Sequence, residues 1–153
     1  MHLEVPLYAI KVGLVGFWTL WFLIAFLTNI FDGMKTAGLL SSRWKFASHN
    51  FQAVAKATRT YQAPPWVPKL LFGCVILWEA CAVGSFGWVL MSAWLTGSLS
   101  RGSLNLAFAV SGALLAGFML ADEVFKQYDR ERGHAVLFLA QLVSFACLYL
   151  SSA

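Results

Sequence analysis

Apolar residues fall into four long blocks along this chain, and the charged and polar residues collect in the gaps between them. About 20 apolar residues in helical form cross a hydrocarbon core of about 30 Å. The first block, LYAIKVGLVGFWTLWFLIAFLTNI, predicts a membrane span over about residues 7–30. Pro6 suits a first helical turn, and Lys11 lies near enough to that end to reach the surface. Asn29 and Asp32 bracket the other end, where polar side chains that bond free backbone groups predict helix termination. The second block, about 70–95, contains one carboxylate, Glu79, near its middle. The third and fourth spans are expected over about 104–120 and 135–150.

The gaps differ in kind. Residues 31–69 are too many for a simple turn. Within them Ser41 and Ser42 are expected to cap an amphipathic helix over about 42–61. Trp44, Ala47, Phe51, Val54, Thr58 and Tyr61 recur at three- and four-residue steps on its apolar side. Lys45, Ser48, His49, Gln52, Lys56 and Arg59 take the opposite side. Such a helix lies on a leaflet or docks against a partner. The run Ala63-Pro64-Pro65-Trp66-Val67-Pro68 then predicts a stiff turn into the second span. A short hydrophilic turn follows Gly97, and residues 121–134 read as a solvated, self-neutralising charged hairpin. The fold class is therefore all-α, an integral membrane four-transmembrane-helix bundle with one amphipathic interfacial helix between spans one and two.

Composition agrees with the pattern. Hydrophobic residues make up 59% and charged residues 12%, against about 25% charged in a soluble domain. The net charge of +4 does not indicate nucleic acid, because Lys and Arg flank the spans. Lys35, Arg43, Lys45, Lys56, Arg59, Lys69, Lys126, Arg130 and Arg132 share one side, leaving Lys11 and Arg101 on the other. The positive-inside rule then places loops 31–69 and 121–134 in the cytoplasm and both termini in the periplasm of a bacterial inner membrane. The N-terminus has no basic run ahead of its apolar block, so it reads as a first span rather than a removed signal peptide. Cys74, Cys81 and Cys147 all lie inside apolar runs, without metal-ligand spacing, and read as small packing residues.

Glu79 carries the main functional question, since an acid at bilayer depth needs a partner, a proton or a task. Counting residues from the cytoplasmic side puts Glu79 roughly 13 Å deep, Gln141 roughly 9 Å and Ser144 roughly 13 Å. These three form the expected intramembrane polar cluster, with the carboxyl hydrogen-bonded to Gln141, Ser144 or a backbone carbonyl as structural glue. The alternatives are a Glu79 that faces another subunit, or one that carries a proton or ion; a relay would need further titratable groups in the membrane. Two stripes of small residues predict close helix packing or a partner interface. They are Gly73, Ala80, Gly84 and Gly87 in the second span and Gly112 and Ala116 in the third. Arg43, Trp44, Lys45, Trp66 and Lys69 would meet lipid, a quinone or a partner at the cytoplasmic interface, although aromatic belts give the same pattern.

Other chemistry is weakly represented. A core haem needs His ligands on facing helices, whereas His2, His49 and His134 fall at ends or in loops. No Gly-rich phosphate loop or nucleophile elbow is present. The pattern thus implies no catalytic residues, metal or cofactor beyond a bound lipid or quinone.

Asn29-Ile-Phe-Asp32 at the end of span one, Glu79 in span two, and Glu123-Val-Phe125 followed by Tyr128 after span three occur in a particular order. In that order the chain resembles the bacterial small integral membrane proteins grouped as domain of unknown function 2165. The resemblance covers nearly the whole chain and implies the four-span architecture without implying an activity. The expected function is a non-catalytic accessory subunit of a larger bacterial inner-membrane complex, respiratory or energy-transducing, whose partners are other membrane subunits and lipids. The alternative is a free-standing small carrier or quinone- or lipid-binding protein that uses Glu79.

Overall fold

In a computed structural model, which describes residues 4–150, the chain forms five helices and no strand among the described residues. They are α1 (Glu4–Thr36), α2 (Asn50–Arg59), α3 (Trp66–Thr96), α4 (Arg101–Val124) and α5 (Tyr128–Leu150). All but α2 are long and apolar enough to cross a membrane. The chain is thus a four-span helical membrane bundle with one short extra helix. Packing runs from α1 to α3 to α4 to α5, with α2 lying against α3 and α1.

Lipid tails are as apolar as leucine, so dispersion and shape, rather than escape from water, hold these helices together. A ladder of aromatic rings threads all four spans. Phe22 of α1 stacks on Phe86 of α3 at 5.9 Å between centroids, and Phe86 meets Phe108 of α4 edge-on at 5.2 Å. Phe108 in turn meets Phe145 of α5 at 5.3 Å. Around it Val15, Trp18, Ala82, Val89, Ala107 and Leu114 complete the buried core.

Three element boundaries differ from the sequence expectation, two of them because polar side chains bond across the bundle. First, α1 continues to Thr36 instead of ending near 30, a length of 33 residues and roughly 50 Å. Asn29 and Asp32 do not terminate it, because their side chains reach other elements. The helix ends instead at Gly38, φ +75°, where Leu39 N–H bonds Met34 O at 2.9 Å. Second, the amphipathic helix is only Asn50–Arg59, and Ser41 and Ser42 do not cap it. Residues before it fold back on α1, with Trp44 and Phe46 against Phe31 at 5.5 and 5.9 Å. Third, the expected charged hairpin is largely helical. α4 runs through Asp122 and α5 starts at Tyr128, leaving 125–127 as the turn. Buried Asp122 accounts for this, since it turns inward and hydrogen-bonds His134 of α5.

The turn from α3 to α4 depends on one glycine. Gly97 has φ +67° and donates to Ala93 O at 2.9 Å, closing α3, while Ser100 accepts from Ser103 N to open α4. Nothing lies within 4 Å of where a Cβ on Gly97 would sit, so an added methyl meets only backbone strain. Gly97→Ala should therefore cost about 1 kcal/mol, read as a lower midpoint in denaturant-induced unfolding of micelle-bound protein.

Candidate functional site

The polar centre lies where α2 packs beside α1 and α3. On α1 the buried positions Val15, Trp18, Phe22, Asn29 and Asp32 follow helical steps along one stripe, so the last two face inward as the first three do. On α3 the corresponding stripe is Phe72, Glu79, Ala82, Phe86, Val89 and Ala93. The two stripes meet, and Asn29 Nδ2 donates to both oxygens of Glu79, at 2.7 and 2.9 Å. Glu79 is only 3% exposed.

The amide of Asn29 has one sensible orientation. Its nitrogen faces a carboxyl group, and its oxygen lies between two donors, Ser48 Oγ at 2.6 Å and Asn50 Nδ2 at 2.9 Å. Ser48 has a single hydroxyl proton, which goes to this nearer acceptor; its second polar contact, to Asp32 Oδ2, is 3.4 Å. Asp32 Oδ2 accepts the backbone N–H of Phe51 at 2.8 Å. That N–H is one of the free donors at the start of α2, whose own N-cap residue, His49, has φ +62° and makes no side-chain cap. An acid on α1 thus caps α2 from outside, where a negative charge also suits the helix dipole. Phe51 packs on Phe72 of α3 at 5.6 Å, and the hydroxyl of Tyr61, just beyond α2, bonds Val124 O on α4.

The result is a clamp that ties three segments distant in sequence through Glu79, Asn29, Ser48, Asn50 and Asp32. A buried carboxyl with its acceptors filled and an amide with both ends engaged hold their elements firmly. As a proton wire the chain is interrupted at Asn29, because an amide nitrogen has no lone pair to receive a proton. Among the described residues no three His, Cys, Asp or Glu side chains gather as a metal-ligand set.

The expected cluster of Glu79, Gln141 and Ser144 is rearranged. Depth counting places residues at a level but does not say which way they face, and here they face different neighbours. Glu79 turns to α1. Gln141 Nε2 donates to Ser111 Oγ of α4 at 2.6 Å, and Ser144 back-bonds to Ala140 O at 2.8 Å. Glu79 also does not point outward at a partner.

The small-residue stripes divide. Around Gly73, Gly84 and Gly87 nothing lies within 4 Å of a would-be Cβ, so this side of α3 is open, with Ala80 half-buried beside it. Gly112 faces Gln141 and Phe138 of α5, and Ala116 is half-buried on the same helix. Of the interfacial set, Arg43, Trp44, Lys45, Trp66 and Lys69 are all exposed, and Trp44 O accepts from Lys35 Nζ at 3.0 Å. His49 is exposed at the start of α2, His134 pairs with Asp122 and packs on Phe118, and His2 lies outside the described residues.

Sequence reasoning did not foresee Asn29, Ser48, Asn50 and Asp32 as partners of the buried acid. The signal was present in the three-residue spacing of Asn29 and Asp32 in phase with Val15, Trp18 and Phe22. Comparison of the chain with known protein families, with curated proteins and with solved structures finds no match.

Proposed function

We propose that this chain is a non-catalytic accessory subunit of a larger assembly in a bacterial inner membrane. The carrying observation is the open side of α3. Gly73, Gly84 and Gly87 have no neighbour within 4 Å of a would-be Cβ, and Leu77 and Trp88 stand exposed nearby. Acyl chains fill such notches less well than a helix backbone that approaches closely. The polar residues support the same reading, because Glu79 and its partners join elements of the chain itself. The excess of Lys and Arg on the connections 31–69 and 121–134 supports placing these in the cytoplasm and the termini in the periplasm.

Mild detergent extraction from native membranes, followed by size analysis, tests the reading. The chain should migrate in a particle well above its own 16.9 kDa, together with other membrane proteins. A monomer or small homo-oligomer in the same extract would overturn it.

A further inference from the structure

Residues 33–69 hold six cations, Lys35, Arg43, Lys45, Lys56, Arg59 and Lys69, and no Asp or Glu. The connection 121–134, at the same end of the bundle, sets four acids against three Lys and Arg. Orientation in the membrane needs only a surplus of Lys and Arg near the span ends. It does not require that they go without acids, nor that the fold hold them in place. Here both conditions are met.

The charge is left uncompensated. All of these cations except half-buried Lys35 are exposed, and the one ion pair among the described residues joins His134 to Asp122. Asp32, the acid next in sequence, is 3% exposed and engaged with the N–H of Phe51. The connection is also fixed in depth. Trp44 and Phe46 pack on Phe31, Ser48 N–H donates to Thr28 O at 3.1 Å, and Tyr61 bonds the carbonyl of Val124 where α4 ends. Phe31 and Thr28 lie about 8 and 12 Å from the end of α1, a helix roughly 20 Å longer than a hydrocarbon core of about 30 Å. These anchors therefore stand near the hydrocarbon boundary, at headgroup level. Trp44, Phe46, Tyr61 and Trp66 are exposed among the cations, and such rings settle at that level. A soluble acidic partner would meet the cations from the water side, away from rings that sit beside lipid.

We propose that α2, residues 43–45 before it and the first turn of α3 form a surface that gathers anionic phospholipids. Headgroup phosphates pair with the Lys and Arg side chains, and the rings pack among the upper acyl carbons. A lone chain would do this as well as one held in a larger assembly.

The test uses the full chain in vesicles of phosphatidylcholine with a minority of phosphatidylglycerol, both leaflets alike, so that orientation is immaterial. A trace of either lipid carries a photoreactive group near its headgroup, and adducts are mapped to peptides. On residues 43–69 phosphatidylglycerol should be favoured over phosphatidylcholine about fivefold, the effect of one cation beside each anionic lipid. On residues 121–134 the ratio should stay near one. Salt at about 1 M, where the Debye length is about 3 Å, should erase the difference. So should replacing Arg43, Lys45, Lys56, Arg59 and Lys69 with Gln. The milder pair Lys56→Gln/Arg59→Gln changes two exposed positions of α2 and should lower the ratio there while residues 43–45 keep theirs. Equal ratios on the two connections, or a preference that survives high salt or loss of the cations, would overturn the proposal.

Discussion

Asn29→Leu should destabilise the bundle by about 3 kcal/mol, the upper end of what leaving buried polar groups without their hydrogen-bond partner costs. The substitution keeps roughly the volume of the side chain but takes away the donor that Glu79 shares between its two oxygens. It also strips Ser48 and Asn50 of their common acceptor. Glu79→Leu alone should cost less, about 1–3 kcal/mol, because it leaves an amide rather than a carboxyl without a partner. The double variant Asn29→Leu/Glu79→Leu should recover the part of the loss that comes from the orphaned carboxyl, since an apolar pair at this depth needs no hydrogen bonds, while Ser48 and Asn50 still lack Asn29 Oδ1. Denaturant titration of the four proteins in one mixed-micelle system checks the cycle. Simple additivity of the two single losses would show that the Asn29–Glu79 contact does not hold α1 to α3.

The arrangement was legible in the sequence only as far as hydrophobic blocks and charge gaps carry. Four spans follow from length and apolarity, because nothing else satisfies every backbone group inside a bilayer. An intramembrane Glu79 also follows, as a lone acid inside an apolar run, but not that it is buried within the bundle. What the blocks could not give is rotation about each helix axis. Glu79 and Gly73 lie on one helix six residues apart, yet Glu79 belongs to the buried stripe with Phe72 and Ala82 while Gly73 faces out. The choice between them is made by the neighbour, and the neighbour's matching polar group, Asn29, looked like a helix end because polar residues beside an apolar block usually are one. For the same reason Asp122 resembled part of a solvated hairpin until His134 stood opposite it. The cap of α2 was hidden more deeply. A helix normally takes its cap from the residues just before it, and here Asp32 supplies it from another helix.

Asp32→Ala should therefore release α2 while leaving the four spans in place. A helix of 10 residues is not stable alone in water, so α2 relies on its anchors. One anchor is the carboxylate that accepts the N–H of Phe51 at 2.8 Å; the others are the bond from Asn50 Nδ2 to Asn29 Oδ1 at 2.9 Å, the packing of Phe51 on Phe72 and the bond from Tyr61 to Val124 O. Loss of a hydrogen bond to a charged group, with a backbone donor left unmet, should cost about 2 kcal/mol. Local opening of residues 50–59 should then become roughly 30-fold more frequent, visible as faster amide hydrogen exchange in that segment. Amides around Phe86 and Phe108, in the aromatic ladder, should keep their wild-type protection. Asp32→Asn keeps an acceptor oxygen without the charge and should show a smaller acceleration than the alanine variant. Equal exchange in all three proteins would mean that the other anchors seat α2 and that the carboxylate does not. Acceleration spread over α1 and α3 as well would mean that Asp32 and the Asn29–Glu79 contact form one cooperative unit, so that freeing α2 also loosens the grip on the buried acid.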